Sequence, residues 1–517
     1  MPGLTRQPSP ERYTARAMNE VVLGPIQLVV DHRAPGTRGG PTLRVIREQD
    51  GRELLRFDCF AQGAHWHLDP SGRDEITQLP PSADSLEWTL GELRANLAAY
   101  LDKAGFPAAL EKDEVESALA RVEPVLRNPP TRLDDLDVSL LCQRGGEKWA
   151  LYPEDVLPLW VADMDFRVAT PIQRLIQRSL DLGDLGYPLH PRPTSLPSVF
   201  AQRAEERFGW SIEPENVELI TDVVQGLYVA LHQFSAEGEG VVVQTPIYPP
   251  FLAAVREMRR TPVENPLVVA DGGYSVDLEG LRDVIDERTR ILLLCNPHNP
   301  SGRVFRREEI EGIAEVALAR DLVVVSDEIH ADLVFPGSRH IPFASLSPEI
   351  EARTITLTSA SKPFNIAGLR CAVAIFGSAE LRERFLDFPR HLRGGLGSLG
   401  LAASEMAWRH SQPWLDEVLA YLEASRELVA EFTAAELPGV RHFRPEATYL
   451  AWLDCREVGL EPSPYQFFLS RAKVALSDGA AFGSPGRGFV RLNFATSRQI
   501  LSEALERMAE ALRQRPS

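Results

Sequence analysis

Lysine is nearly missing from this chain. Its 517 residues include five, Lys103, Lys112, Lys148, Lys362 and Lys473, and arginine supplies positive charge elsewhere. A side-chain ammonium that must shed its proton has to be one of these five, because a guanidinium stays charged. Cysteine is equally sparse. Cys59, Cys142, Cys295, Cys371 and Cys455 are scattered with no CxxC, which argues against a disulfide framework and for reduced, mostly buried thiols. No apolar run is long enough to cross a bilayer, and MPGLTRQPSPERYTARAM holds no secretory apolar core, so the expected location is cytoplasmic. No repeat or low-complexity tract occurs. A surplus of positive charge is also absent. The net charge of −18 argues against a general nucleic-acid or anionic-membrane surface.

What is present divides into unlike parts. Residues 1–17 are polar and expected to be disordered. Residues 18–125 read as a small α+β domain. TLRVIREQDGRELLRFDCF alternates around Asp50-Gly51 as a hairpin does, SLEWTLGELRANLAAYLDKAGF has helical spacing with Gly105 as a stop, and a second helix follows near DEVESALARVEPVL. RNPPTR reads as a linker. From 126 to 517 short aliphatic runs alternate with helical patterns: GEGVVVQTP, TRILLLCNP, DLVVVSDE, RTITLTSA and CAVAIFG. That alternation predicts an α/β fold with a mostly parallel central sheet and helices on both faces. The large lobe is expected over about 165–400. A small α+β lobe is expected from about 130–164 and 401–517, with ATYLAWLD and GFVRLNFA as strands.

In such sheets ligands bind at the carboxyl ends of strands. After ILLLC stands NPHNPSG, a rigid turn able to aim an amide. After DLVVVS stands DEIH, and a carboxylate there is costly unless it meets a cation. After TITLT stands SASK, with Ser359 three residues before Lys362. A buried lysine loses its charge readily and can form a Schiff base.

This set resembles the fold type I pyridoxal-phosphate enzymes, the aspartate aminotransferase superfamily. The resemblance implies that Lys362 binds the cofactor, Asp327 pairs with its pyridine nitrogen and Asn299 bonds its 3-oxygen. His330 holds the place where many relatives have a tyrosine near that oxygen, and Tyr248 of TPIYPPF would stack on the ring. The phosphate would meet the amides of Val224 and Gln225 at a helix start in TDVVQGLYVAL, the Ser359 hydroxyl, and Arg370. Asp222 stands where relatives usually have glycine. DVLPLWVADMDF, LGYP, NPHNPSGRVF, SDEIHADL and SKPFNIAGLR narrow the resemblance to the MalY/PatB-type cystathionine β-lyases, or C–S lyases. That implies cleavage of an S-substituted L-cysteine to thiol, pyruvate and ammonia, with transamination as the alternative. It also implies a homodimer in which Tyr187 reaches the neighbouring subunit's phosphate, and Arg491 on the substrate carboxylate.

The N-terminal domain resembles no family. Residues 1–125 carry 14 Lys/Arg against 19 Asp/Glu and no basic helix, which disfavours a DNA reader and leaves a protein-partner or substrate-delivery module. His65, His67 and Asp69 of AHWHLDP fall in step on one strand face, but a metal site would need further ligands. The expectation is a surface or turn cluster without metal.

Overall fold

The computed structural model describes residues 20–32, 40–60, 63–80, 84–128, 133–188, 194–270 and 273–515. The tail expected at 1–17 and residues 129–132 of the linker lie outside them. The chain divides into two compact units: Met1–Thr131 with Ala169–Arg174 and His410–Trp414, and the remainder.

The first unit is a six-stranded antiparallel meander with two helices. Its strands, paired in chain order, are β1 (Glu20–Leu23), β2 (Ile26–His32), β3 (Pro41–Arg47), β4 (Glu53–Asp58), β5 (His65–Leu68) and β6 (Glu75–Gln78). Gly51 turns β3 into β4 at φ 72°, a left-handed conformation that glycine adopts at little cost. Helix α1 (Ser85–Lys103) starts at Asp84, whose carboxylate accepts the amides of Leu86 and Glu87. Helix α2 (Lys112–Arg127) follows. Leu43, Val45, Leu55 and Phe57 of the sheet meet Leu90, Leu93 and Leu97 of α1 and Leu119 and Val122 of α2 in one core.

The histidine pair is not the surface cluster expected. His67 is buried, and Asp69 leaves the strand at φ 53° to pair with Arg52 at 2.7 Å. The strand ends at Leu68, so the alternation stops before Asp69 is reached. The carboxylate beside both rings is the cross-strand Asp58, 3.3 Å from His65 Nε2 and 3.4 Å from His67 Nε2. Arg56 Nη2 lies 2.6 Å from His67 Nε2, so a guanidinium already fills the cluster.

The second unit is built on a seven-stranded sheet. In chain order its strands are β7 (Val217–Ile220), β8 (Gly240–Val243), β9 (Thr261–Glu264), β10 (Thr289–Cys295), β11 (Val323–Asp327), β12 (Thr354–Thr358) and β13 (Ala372–Phe376), and the sheet order is β9-β8-β10-β11-β12-β13-β7. Neighbours from β9 to β12 are parallel, while β13 is antiparallel to both β12 and β7. Alternate residues feed two cores. Val241, Val243, Ile291, Leu293 and Val325 face one, with helix α3 (Val223–Phe234); Val242, Leu292, Leu294 and Val324 face the other, with helix α4 (Arg307–Ala319). Burial on both faces is why these strands read as continuous apolar runs. The C-terminal part adds a four-stranded antiparallel sheet around β14 (Leu450–Asp454) and β15 (Phe489–Asn493). Among the described residues no helix is long and apolar enough to cross a membrane.

Gly302 ties the turn after β10 to the C-terminal part. It sits at φ 71°, its carbonyl accepts the amides of Glu446 and Ala447, and an added Cβ would lie 2.3 Å from Pro445 Cβ. Gly302→Ala should cost about 1–3 kcal/mol in urea unfolding from backbone strain and crowding. Gly337→Ala, at φ 97° with open space around the new methyl, isolates the strain and should cost less.

Candidate active site

The sheet brings its chemistry to one edge. Ile220, Val243, Cys295, Asp327 and Thr358 end strands that run the same way, and the segments after them carry Asp222, Tyr248, Asn299, Asp327 itself and Lys362. Because β13 runs oppositely, its start lies at that edge, and Arg370 stands two residues before it. A cavity of about 780 Å³ opens there, lined by Val224, Tyr248, Asn299, Asp327, His330, Ser359, Lys362, Arg370 and Arg491. These nine predicted site residues meet in one place.

Desolvation governs the charges inside. Burial pushes the Asp327 carboxyl up to about 7; the hydrogen bond it accepts from the Ile329 amide at 3.0 Å pulls the other way and does not offset it. Burial also lowers the Lys362 ammonium from the ordinary lysine range. His330 is held down to about 3, and so neutral, by burial and then by Lys362 and Arg491; its Nδ1 has no partner. Arg491, 4% exposed, has no carboxylate partner among the described residues, and its Nε donor is unmet. Its Nη1 donates to Asn299 Oδ1 at 2.8 Å and its Nη2 to the Trp160 carbonyl and Ser477 Oγ, both at 3.1 Å. The two groups assigned by resemblance to ring oxygen and substrate carboxylate are thus bonded to each other.

The WVADMDF segment forms the facing wall, and side chains take all seven of its carbonyls from Trp160 to Phe166. Ser477 and Arg491 take Trp160, Asn493 takes Val161 and Asp163, and Lys362 Nζ (2.8 Å) and Tyr449 Oη (2.9 Å) share Ala162. Lys148 also takes Asp163, Asn365 takes Met164 and Phe166, and Arg144 takes Asp165. Asp163 Oδ1 lies 4.0 Å from Lys362 Nζ. Sequence reading recognised this motif but missed Tyr449, Asn365 and Asn493. Tyr449 stood in view only as part of a strand pattern.

The helix-start cradle differs in detail from expectation. Asp222 caps α3 by accepting the Gln225 amide at 2.9 Å, so that amide is taken, and Gln225 does not line the cavity. Val223 lines it beside the expected Val224; the two are the first residues of a helix whose opening amides lack intrahelical partners. Ser359 gives its hydroxyl hydrogen to the Cys371 carbonyl at 2.7 Å, leaving only acceptor capacity. Asp222 Oδ2 lies 2.6 Å from Arg370 Nη2. Tyr187 lies apart from this cavity and is fully exposed.

The fold and this edge are those of fold type I pyridoxal-phosphate enzymes. The chain belongs to the aminotransferase class I and II family, which it matches over residues 155–508. Residues 20–126 match a domain of unknown function, DUF7700. The chain is similar to cystathionine beta-lyase PatB of Bacillus subtilis (38% identity over 69% of this chain and 93% of that one). It is similar to the cystathionine beta-lyase of Corynebacterium glutamicum (36%, over 71% and 96%). It also resembles the crystal structure of cystalysin from Treponema denticola, which contains pyridoxal 5'-phosphate (32%, over 71% and 96%, TM-score 0.69).

Pyridoxal phosphate is therefore the cofactor, and the residues present fit it. Asp327 is a buried carboxyl with no ion pair among the described residues, Lys362 a partly buried amine, and Arg370 a cation at a helix start. Two predictions follow from these charges. A carboxyl raised from 3.8 to about 7 by folding favours the folded state when protonated, so its contribution is complete below pH 4 and lost as pH rises through 7. Thermal melting of the cofactor-free protein should show that loss, and Asp327→Asn should flatten it. Asp222, for its part, places a carboxylate at the helix start expected to hold the phosphate. Asp222→Asn keeps the cap acceptor but removes the charge, and should tighten pyridoxal phosphate binding roughly tenfold in a fluorescence titration of apoprotein. Weaker binding would show that Asp222 supports the cradle instead.

Proposed function

We propose that this chain is a pyridoxal-phosphate-dependent C–S β-lyase that converts an S-substituted L-cysteine and water to a thiol, pyruvate and ammonia. The observation that carries the reading is Arg491: a buried guanidinium with no carboxylate of its own, in the same cavity as Lys362 and Asp327. A buried cation without a partner is costly, and an incoming α-carboxylate would relieve that cost. The similarity to cystathionine β-lyases supports the leaving-group chemistry.

When bound, the cofactor supplies an electron sink for negative charge at the substrate Cα. Asp327 would hold the proton on its ring nitrogen, and the amides of Val223 and Val224 with Arg370 would hold its phosphate. Tyr248 would cover one ring face. Asn299 and neutral His330 would lie near the ring oxygen, with Asn299 also bracing Arg491. Lys362 Nζ, its proton affinity lowered by burial, would hold the cofactor and then take the Cα proton. Loss of the thiolate from Cβ and hydrolysis of the remaining three-carbon unit complete the reaction. Tyr187 would serve a second copy of the chain. Its full exposure beside exposed Leu185 supports a homodimer with shared sites. A cytoplasmic location accords with this chemistry.

Purified holoenzyme given an S-alkyl cysteine without a keto acid should release thiol and pyruvate in equal amounts. Lys362→Ala should abolish both, together with the visible absorbance of the lysine-bound cofactor. If products form only when a keto-acid acceptor is added, the protein is an aminotransferase.

A further inference from the structure

The cavity has a second wall that the chemistry above leaves unused. Tyr152, Trp160 and Tyr465 line it, with the Tyr152 and Trp160 rings edge to face at 5.9 Å and the two tyrosine hydroxyls 3.3 Å apart. Glu147 lines it too, and among the described residues its carboxylate has neither an ion pair nor a hydrogen bond.

The charges that line the cavity can be sorted. The cations are Lys362, Arg370 and Arg491, and each already has a task at the cofactor or the α-carboxylate; His330 is held neutral. Of the acids, Asp327 and Asp222 belong to the cofactor end. That leaves two acidic side chains, Glu147 and Asp478. Asp478 is partly engaged as the acceptor of the Ala480 amide at 3.1 Å. Among the described residues of this chain, no unassigned cation lines the cavity to receive a distal carboxylate.

Trp160 links this wall to the substrate anchor. Its carbonyl accepts Arg491 Nη2 at 3.1 Å, while its indole NH donates to the Lys148 carbonyl at 3.3 Å. A substrate held by Arg491 therefore has the aromatic wall as its neighbour. Aromatic faces beside a carboxylate attract a positive nitrogen and repel an anion.

We propose that this wall selects an S-substituent bearing a cationic nitrogen, with Glu147 as its counter-charge and Tyr152, Trp160 and Tyr465 as its aromatic box. The inference rests on the lyase reading for its substrate but not for its test. The probes are S-(2-aminoethyl)-L-cysteine, S-propyl-L-cysteine and S-(2-carboxyethyl)-L-cysteine, of similar length and bearing positive, neutral and negative ends. Binding of each to holoenzyme is read from the change in cofactor absorbance, and turnover from pyruvate.

The expected order of affinity is cationic, then neutral, then anionic. Glu147→Gln, at an exposed carboxylate, should shrink the cationic-to-neutral ratio roughly threefold. A Trp160→Leu variant should lower the same ratio without reversing the neutral-over-anionic order. Equal affinities for the three, an anionic preference, or a ratio unmoved by Glu147→Gln would overturn the proposal. Binding in the expected order without pyruvate would leave it standing and sink the lyase reading alone.

Discussion

Side chains reach seven consecutive carbonyls, from Trp160 to Phe166, and the site depends on how they are satisfied. A buried carbonyl without a donor is costly, so this stretch can stay inside only if side chains come to it. They come from positions spread over the whole unit: Arg144, Lys148, Lys362, Asn365, Tyr449, Ser477, Arg491 and Asn493. Two of these are Lys362 and Arg491, the groups assigned to proton transfer and carboxylate binding. The segment therefore fixes the positions of both cations relative to one main-chain rail. A displacement of the rail would move Lys362 and Arg491 together.

The same segment shows why part of the site was legible and part was not. Asn299, Asp327 and Lys362 could be read because each follows a continuous apolar strand, and a sheet buried on both faces confines polarity to strand ends. Arg370 could be read by its spacing from Lys362, and the antiparallel course of β13 explains how a residue before that strand reaches the same edge. The carbonyl rail could not be derived. Its acceptors are main chain, which any residue supplies, and Asn365 and Asn493 carry no local pattern that marks them as donors. Asp222 hid its pairing with Arg370 in the same way, because the two are distant in sequence and meet only through the sheet.

In the first unit the failure has a different cause. Strand alternation placed Asp69 with His65 and His67, but alternation holds only while the strand lasts. The strand stops at Leu68, and register across the sheet brings Asp58 instead. A period-two argument is sound within a strand and blind to where it ends. The six-strand meander itself was only partly visible, since β6 is exposed along its length and lacks a buried alternation.

Scarce lysine now has a physical reading. Two of the five, Lys148 and Lys362, donate to the rail; Lys148 also pairs with Asp165 at 3.0 Å and so keeps a counter-charge. Lys362 has Asp163 no closer than 4.0 Å. Desolvation acts on Lys362 and on Arg491 in the same cavity, but the two start from different places. The guanidinium falls from 12.5 only to about 10 and remains charged at neutral pH, fit to hold a carboxylate. The ammonium starts lower, at 10.5, and burial lowers it further. One environment thus acts on two different cations, and the distinction lies in which side chain the sequence put at each strand end.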